Sequence, residues 1–171
     1  MAYFLSVDLG LQGGLAILED QKVLEVKPMP VIERLVGGKV RNQYDINAIL
    51  EIVRSFQCCA LPHDIKMAGM ELLKPMQSSV ASFSMGAAMG IFRTLFTVLG
   101  IPFTEMVPQK WQKEVFGGFG IQYNKTTTKQ ASIQAAKQIA PGINFLPTER
   151  SRKDSDGMTD AACIGYYISK L

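Results

Sequence analysis

Residues 2–18 read AYFLSVDLGLQGGLAIL. The apolar run before Asp8 predicts a buried strand, and the run from Leu15 to Leu18 predicts a second strand that returns beside it. The glycines between the two runs favour a tight reversal, so the stretch predicts a β-hairpin. Asp8 is its unusual residue, because an unpaired buried charge costs roughly several kcal/mol unless a partner or a metal compensates it. The alternative is that Asp8 closes an Asx-type turn at the strand end.

The composition is that of an ordered globular protein. The chain has 171 residues, of which 47% are hydrophobic and 19% are charged, so we expect one domain over residues 1–171. The longest apolar stretch, residues 87–99, is interrupted by Arg93 and two threonines, which argues against a membrane span. The first residues lack the basic and apolar sections of a signal peptide.

The cysteines and the single histidine predict no site of their own. Cys58 and Cys59 are adjacent and Cys163 is distant, which matches no zinc spacing and leaves an odd number for disulfides. We therefore expect structural thiols in a reducing intracellular compartment, without a preference among cytoplasm, organelle and virus-infected host cell. His63 lies in a Leu-Pro-His-Asp turn without a nucleophile-elbow motif, so a surface turn is favoured over a catalytic triad.

The order of the predicted elements defines the fold class. A helix between two strands implies a parallel crossover, so the fourth and fifth strands should join the sheet parallel to the first. We expect an α/β fold with a mixed five-stranded sheet, three strands antiparallel and then two parallel, flanked by helices, with the fourth strand beside the first. The predicted elements are strands at 2–8, 15–18 and 21–27, a loop at 31–44, a helix capped by Asp45 and ending at Phe56, a strand at 65–71, a helix at 78–99, a strand at 103–107, a short segment around Trp111, and helices at 129–139 and 156–170.

Carboxylates on separate elements are predicted to meet at one edge of this sheet. Glu71 closes the fourth strand as Asp8 closes the first, and parallel neighbours end on the same side. Asp156 and Asp160 are four residues apart, which places both on one face of the last helix. Alone, Glu71 would be an ordinary strand-end residue, and Asp156 would be explained as an acid at a helix N-terminus. Asp160 lies one turn further along the helix, too far from its N-terminus for that explanation.

The donor set and the charge distribution predict a metal-dependent nuclease. Four carboxylates without a suitable histidine or cysteine select Mg²⁺, with Mn²⁺ as a substitute. Two such ions about 4 Å apart can activate a water molecule and stabilise the leaving oxygen in phosphodiester cleavage. Residues 107–153 carry eight basic and two acidic side chains, a surplus of six, although the whole chain is only +3. Such segregation of positive charge indicates that one side of the protein faces a polyanion.

Several motifs in order resemble the RuvC family of Holliday junction resolvases, which has the ribonuclease H-like fold. They are Val-Asp-Leu-Gly at 7–10, Gly-Gly-Leu-Ala-Ile at 13–17, Glu71 at a strand end, Phe-Ser-Met-Gly at 83–86, Val-Pro at 107–108 before Trp111, and Asp-Gly-Met-Thr-Asp-Ala-Ala at 156–162. The resemblance implies paired nicking of four-way DNA junctions by a Mg²⁺-dependent homodimer, with helix 78–99 at the dimer interface. The family's catalytic acids carry over to Asp8, Glu71, Asp156 and Asp160.

The chain departs from typical bacterial members in its last acidic pair, which they space three apart. The spacing of four here is similar to that of organellar and some viral relatives. The family also has a lysine near the scissile phosphate after the fifth strand, where this chain offers Lys110 and Lys113, and Lys113 is favoured. Further expected DNA contacts are Lys125, Lys129, Arg150, Arg152, Lys153, the turn Gln77-Ser78-Ser79, and Phe83, which could equally be a buried residue at the helix start.

Other functions remain open at this point. A general ribonuclease H-like nuclease would use the same acids without selecting junctions. A nucleotide-binding domain of the actin or sugar-kinase type begins with a similar Asp-Leu-Gly and Gly-Gly pattern, although such chains are usually longer. A junction-binding protein without catalysis is the third alternative.

Overall fold

The computed structural model describes residues 1–72 and 79–171, so the predicted contacts Gln77 and Ser78 lie outside the described residues. In chain order the elements are β1 (Tyr3–Asp8), β2 (Gly14–Glu19), β3 (Lys22–Pro28), β4 (Val31–Val36), β5 (Lys39–Tyr44), α1 (Ile46–Ala60), β6 (Ile65–Glu71), α2 (Ser79–Val98), β7 (Phe103–Met106), α3 (Pro108–Gly118), α4 (Thr128–Ile139) and α5 (Asp156–Ile168). None of the helices described is long and apolar enough to cross a membrane.

The main sheet has five strands in the order β3-β2-β1-β6-β7. The pairs β1–β2 and β2–β3 are antiparallel, whereas β6 runs parallel to both β1 and β7. The predicted mixed sheet is therefore confirmed, including the place of the fourth predicted strand beside the first. Because β1 is central, its side chains from Tyr3 to Val7 are all buried.

Two layers of helices cover the sheet, one on each face. Phe4 packs with α3, α4 and α5 in one core cluster, whereas its neighbour Leu5 packs with α1 and α2 in the other. This division follows from the alternation of side chains along a strand. Ser6 is a fully buried polar residue of β1, and its hydrogen-bonding need is met because its hydroxyl donates to the carbonyl of Ala161 at 2.7 Å.

The segment 31–44, predicted as a loop, forms the antiparallel hairpin β4–β5, and that prediction was wrong. Gly37 and Gly38 connect the strands with φ values of 57° and 76°, as a two-residue turn of the primed type requires. The predicted cap of α1 is confirmed, since Asp45 accepts from the amide of Ala48 at 3.1 Å. The helix continues past Phe56, its predicted end, to Ala60.

Close backbone contact holds the start of α5 against the turn between β1 and β2. A Cβ atom added to Gly157 would overlap the carbonyl oxygen of Gln12 and the Cα atom of Gly13. A Cβ added to Gly14 would lie 2.9 Å from the Cα atom of Met158. The acidic end of α5 can therefore approach β1 only with glycine at these positions.

We predict that Gly157→Ala lowers the free energy of unfolding by about 1–3 kcal/mol, because the added methyl group must push α5 away from the turn. Urea denaturation would measure the loss. Gly142→Ala is the matched control, since a Cβ there meets nothing within 4 Å. Equal stability of the two variants would show that α5 is not held by this contact.

Candidate active site

Asp8 is the last residue of β1, directly before the turn that leads to β2. Burial raises the pKa of Asp8 well above its ordinary value, and the nearby carboxylates of Asp160 and Glu71 raise it further. A backbone hydrogen bond from Gly10 opposes this rise, and Asp156 adds a smaller increase. Asp8 thus lies within electrostatic range of all three other predicted acids.

Glu71 ends β6 at the same edge of the sheet. Val7 is in parallel register with Met70, so the residues that follow them, Asp8 and Glu71, end their strands side by side. The indole Nε1 of Trp111 donates to Glu71 Oε1 at 2.8 Å. Burial raises the pKa of the Glu71 carboxyl, and this hydrogen bond opposes the rise.

Helix α5 supplies the other two acids from above the sheet. The hydroxyl of Ser155 caps the helix by accepting from the amide of Met158 at 3.3 Å, and Asp156 is the first helical residue. Asp160 follows one turn later and accepts a hydrogen bond from the hydroxyl of Ser132 on α4. Burial raises the pKa of Asp160 to about 7, against the lowering effect of Ser132.

Lys129 is the lysine that the structure brings to the carboxylates. Its Nζ lies 2.5 Å from Asp156 Oδ2, although the lysine side chain remains 77% exposed. Its charge lowers the pKa of Asp160, and the hydrogen bond to Asp156 raises the pKa of Lys129 itself.

Lys113, the lysine favoured from the sequence, is exposed on α3 and forms no ion pair with any described side chain. Lys110 instead lines a small pocket with Tyr167 and Lys170, beyond the opposite end of α5.

The other predicted DNA contacts lie on the surface. Phe83 is 80% exposed on α2, so the alternative of a buried residue at the helix start is wrong. Ser79 is the first residue of α2, and its side chain is outside the description. The remaining basic residues flank the N-terminal ends of α4 and α5 and are exposed; they are Lys125, Arg150, Arg152 and Lys153.

The four acids have the right donor chemistry for a metal ion but are not arranged as a ligand set. Within residues 1–72 and 79–171, no group of three or more acidic, histidine or cysteine side chains is grouped to hold a metal. A protein donor already binds each of three carboxylates. The Trp111 indole donates to Glu71, the Lys129 ammonium pairs with Asp156, and the Ser132 hydroxyl donates to Asp160. Their combined negative charge and oxygen atoms suit Mg²⁺ or Mn²⁺, and a cation would relieve the repulsion that raises the pKa of Asp8. The donor chemistry of these residues therefore fits a hard divalent cation, although their carboxylates are not grouped around one ligand position.

Two residues of this site were not found from the sequence as part of it. Trp111 and Ser132 are buried donors that hold Glu71 and Asp160, respectively. Trp111 had appeared only as a motif residue. Ser132 gave no signal, because a serine within a helix is ordinary until its partner is known.

The sheet order and the acids at its edge define a ribonuclease H-like fold. The structure is similar to that of RuvC from Thermus thermophilus in complex with a Holliday junction substrate, with a TM-score of 0.61 and 13% sequence identity over 98% of this chain and 92% of that one. A second Thermus thermophilus RuvC structure matches with a TM-score of 0.57 and 16% identity, over 96% and 92% of the two chains. No protein-family model and no curated protein matches the sequence. The expected fold is thereby confirmed.

We predict that Asp160→Asn stabilises the metal-free protein, and more so as the pH rises. The pKa of Asp160 is raised from 3.8 to about 7, so the unfolded chain ionises first and the folded state bears the cost of the charge at higher pH. This cost is absent below about pH 4, grows between about pH 4 and 7, and is complete above that. The gain should be roughly 1–4 kcal/mol at pH 8 and close to zero near pH 4.

Urea denaturation in the presence of a chelator, at several pH values, would measure this gain. Asp154→Asn is the control, since it makes the same chemical change two residues before α5 and breaks the ion pair with Lys137. It should give no gain. A pH-independent effect of Asp160→Asn would contradict the raised pKa.

Proposed function

We propose that this protein is a structure-selective endonuclease that resolves four-way DNA junctions by metal-dependent hydrolysis at paired positions. The observation that carries the proposal is the meeting of Asp8, Glu71, Asp156 and Asp160 at one edge of a RuvC-like fold. A structure with this fold from Thermus thermophilus is in complex with a Holliday junction substrate, which supports a junction over other DNA.

The four acids would together hold Mg²⁺ or Mn²⁺, with two ions in each site. Divalent ions bound there would activate a water molecule and stabilise the leaving oxygen of the phosphodiester. The hydroxyl of Ser132 orients Asp160, and the indole of Trp111 orients Glu71, so both carboxylates are fixed before substrate binds. Such preorganisation reduces the cost of bringing like charges together around the reacting phosphate.

The basic groups beside the acids would hold the DNA. Lys129 is already paired with Asp156, and its exposed ammonium can turn to a phosphate when a cation takes over the carboxylate. Lys125, Arg150, Arg152 and Lys153 would contact the backbone further out, and such contacts position DNA without reading its sequence. Phe83 is exposed and could stack on an unpaired base near the branch point. The role assigned to Lys113 stays a prediction.

Paired cutting needs two sites, so we propose a homodimer through α2. Gly86 and Gly90 form an exposed flank of small residues on α2, and a Cβ on either glycine would meet nothing within 4 Å. Such a flank lets a second helix approach closely. A two-fold dimer would present its sites symmetrically to a four-way junction.

We predict that the wild-type protein with Mg²⁺ cuts a labelled four-way junction at paired positions, and that Asp8→Asn and Asp160→Asn reduce cutting by more than about a hundredfold while binding is retained. Gel assays of cleavage and of binding would measure both. Glu51→Gln on α1 removes a carboxylate away from the site and should cut like the wild type. Equal cutting of duplex, hybrid and junction would leave only a general ribonuclease H-like nuclease.

Metal binding has a readout that does not depend on cleavage. At a Mg²⁺ concentration of about 100 times its Kd, the free energy of unfolding should rise by about 2.7 kcal/mol. The rise should be lost in Asp8→Asn but kept in Glu51→Gln. If Mg²⁺ stabilises none of these proteins and supports no cutting, the protein binds junctions without metal-dependent catalysis.

We predict that Gly86→Glu dissociates the dimer without unfolding the protomer. Glutamate has a higher helix propensity than glycine and the position is open, so the protomer should be at least as stable as before. Sedimentation velocity would show the change in mass. Gly142→Ala should remain dimeric, and a Gly86→Glu protein that stays dimeric would place the interface elsewhere.

A further inference from the structure

Within the described part of the chain, the hairpin β4–β5 packs on a core cluster only through Tyr44, at its base. Both of its strands are exposed along nearly their whole length, including Leu35 at 74% and Val40 at 65%. A two-stranded ribbon that packs on little else is marginally stable in water. Core packing therefore does not account for the hairpin in the way that it accounts for the five-stranded sheet.

One face of the hairpin is basic. Arg34 lies directly opposite Arg41 in the register, and Lys39 lies on the same face opposite Val36. The only acid of the hairpin, Glu33, is on the other face, and none of the three cations forms an ion pair with a described side chain. Like charges directly opposite each other destabilise a strand pair, so this face is suited to a bound anion.

The basic face borders a groove between the hairpin and α2, and Arg41 is the cation of that face that lines it. The groove has a volume of about 710 Å³, and Arg41 and Gln43 of the hairpin line it together with Phe83 and Ile91 of α2. Gly10, two residues after Asp8, also lines it. The groove therefore reaches the turn that carries the first carboxylate.

Hydrogen bonds fix the base of the hairpin to that turn. The hydroxyl of Tyr44 donates to the carbonyl of Leu9 at 2.8 Å, and the amide of Met29 donates to the carbonyl of Gly13 at 3.0 Å. The basic face thus keeps a set position relative to Asp8. It lies on the side of the sheet covered by α1 and α2, whereas Lys129 belongs to the side covered by α4 and α5.

We propose that the groove between β4–β5 and α2 is a second DNA-binding surface, which holds the phosphodiester backbone of a strand as it leaves the carboxylates. The proposal rests on the proposed function for its substrate. Arg34 and Arg41 would each bind a phosphate, which guanidinium groups can contact with two parallel hydrogen bonds. The strand would then be held on both sides of the sheet edge, by Lys129 on one side and by the hairpin on the other.

The test is the double variant Arg34→Gln/Arg41→Gln, compared with Lys22→Gln/Lys66→Gln. The control removes the same charge at the other end of the sheet, where Lys22 pairs with Glu19 and Lys66 follows the residue that pairs with Tyr3. Fluorescence anisotropy would give the affinity of each protein for a labelled four-way junction and for a duplex of the same sequence, between 50 and 200 mM salt. Thermal unfolding would confirm that both variants are folded.

The hairpin variant should bind at least about tenfold more weakly at 50 mM salt, and its slope of log K against log salt should fall by about two, one for each lost phosphate. The control should stay within about twofold of the wild type. Affinity and slope equal to those of the control would overturn the proposal.

Two further outcomes are decisive. If sedimentation shows that the hairpin variant has become monomeric, a second copy of the chain occupies the groove and the proposal is wrong. If the wild type binds duplex as well as junction and never cuts a junction, the proposed function fails, while the hairpin can still be judged by its effect on duplex binding.

Discussion

The constraint on which the structure depends is the burial of several carboxylates at one edge of a sheet. Asp8, Glu71 and Asp160 each have a raised pKa, and burial is the largest cause in every case. A fold that gains nothing from such a cluster would not keep it, because removing charge from water costs free energy that must be offset elsewhere. The cluster is tolerable because α3 and α4 provide a separate donor for each carboxylate that lies beyond β1. Trp111, Ser132 and Lys129 therefore belong to the site as much as the acids do.

Backbone packing makes this arrangement possible. Gly14 and Gly157 let the first turn of α5 lie against the turn after β1, and Gly165 lets the same helix cross Ser6 and Leu18 further along. A side chain at Gly14 or Gly157 would meet backbone atoms and move α5 away from the sheet. Since Asp160 reaches the edge only from α5, glycines that carry no functional side chain determine where the fourth carboxylate lies.

Much of this could be predicted from sequence, because the signals were local or topological. Apolar runs defined the strands, and a parallel crossover placed Glu71 beside Asp8. The hairpin β4–β5 was missed because all its residues except Tyr44 are exposed, so no alternation of buried and exposed residues marks its strands, and only Gly37-Gly38 indicated a turn. Lys129 was placed among outer DNA contacts rather than beside the acids. Its position depends on how α4 packs on α5, which spacing along the chain does not reveal.

Ion pairing of the basic residues differs between the two sides of the sheet. Two lysines of α4 form ion pairs with acids beside or in α5, Lys129 with Asp156 and Lys137 with Asp154, so part of the positive charge on that side is already neutralised within the protein. The cations of the hairpin have no such partners among the described residues. A polyanion therefore gains more from each hairpin arginine than from a lysine that must first leave a carboxylate. Under the proposed function, the α4–α5 side would hold the reacting phosphate once cations occupy the acids, and the hairpin side would hold DNA before they do.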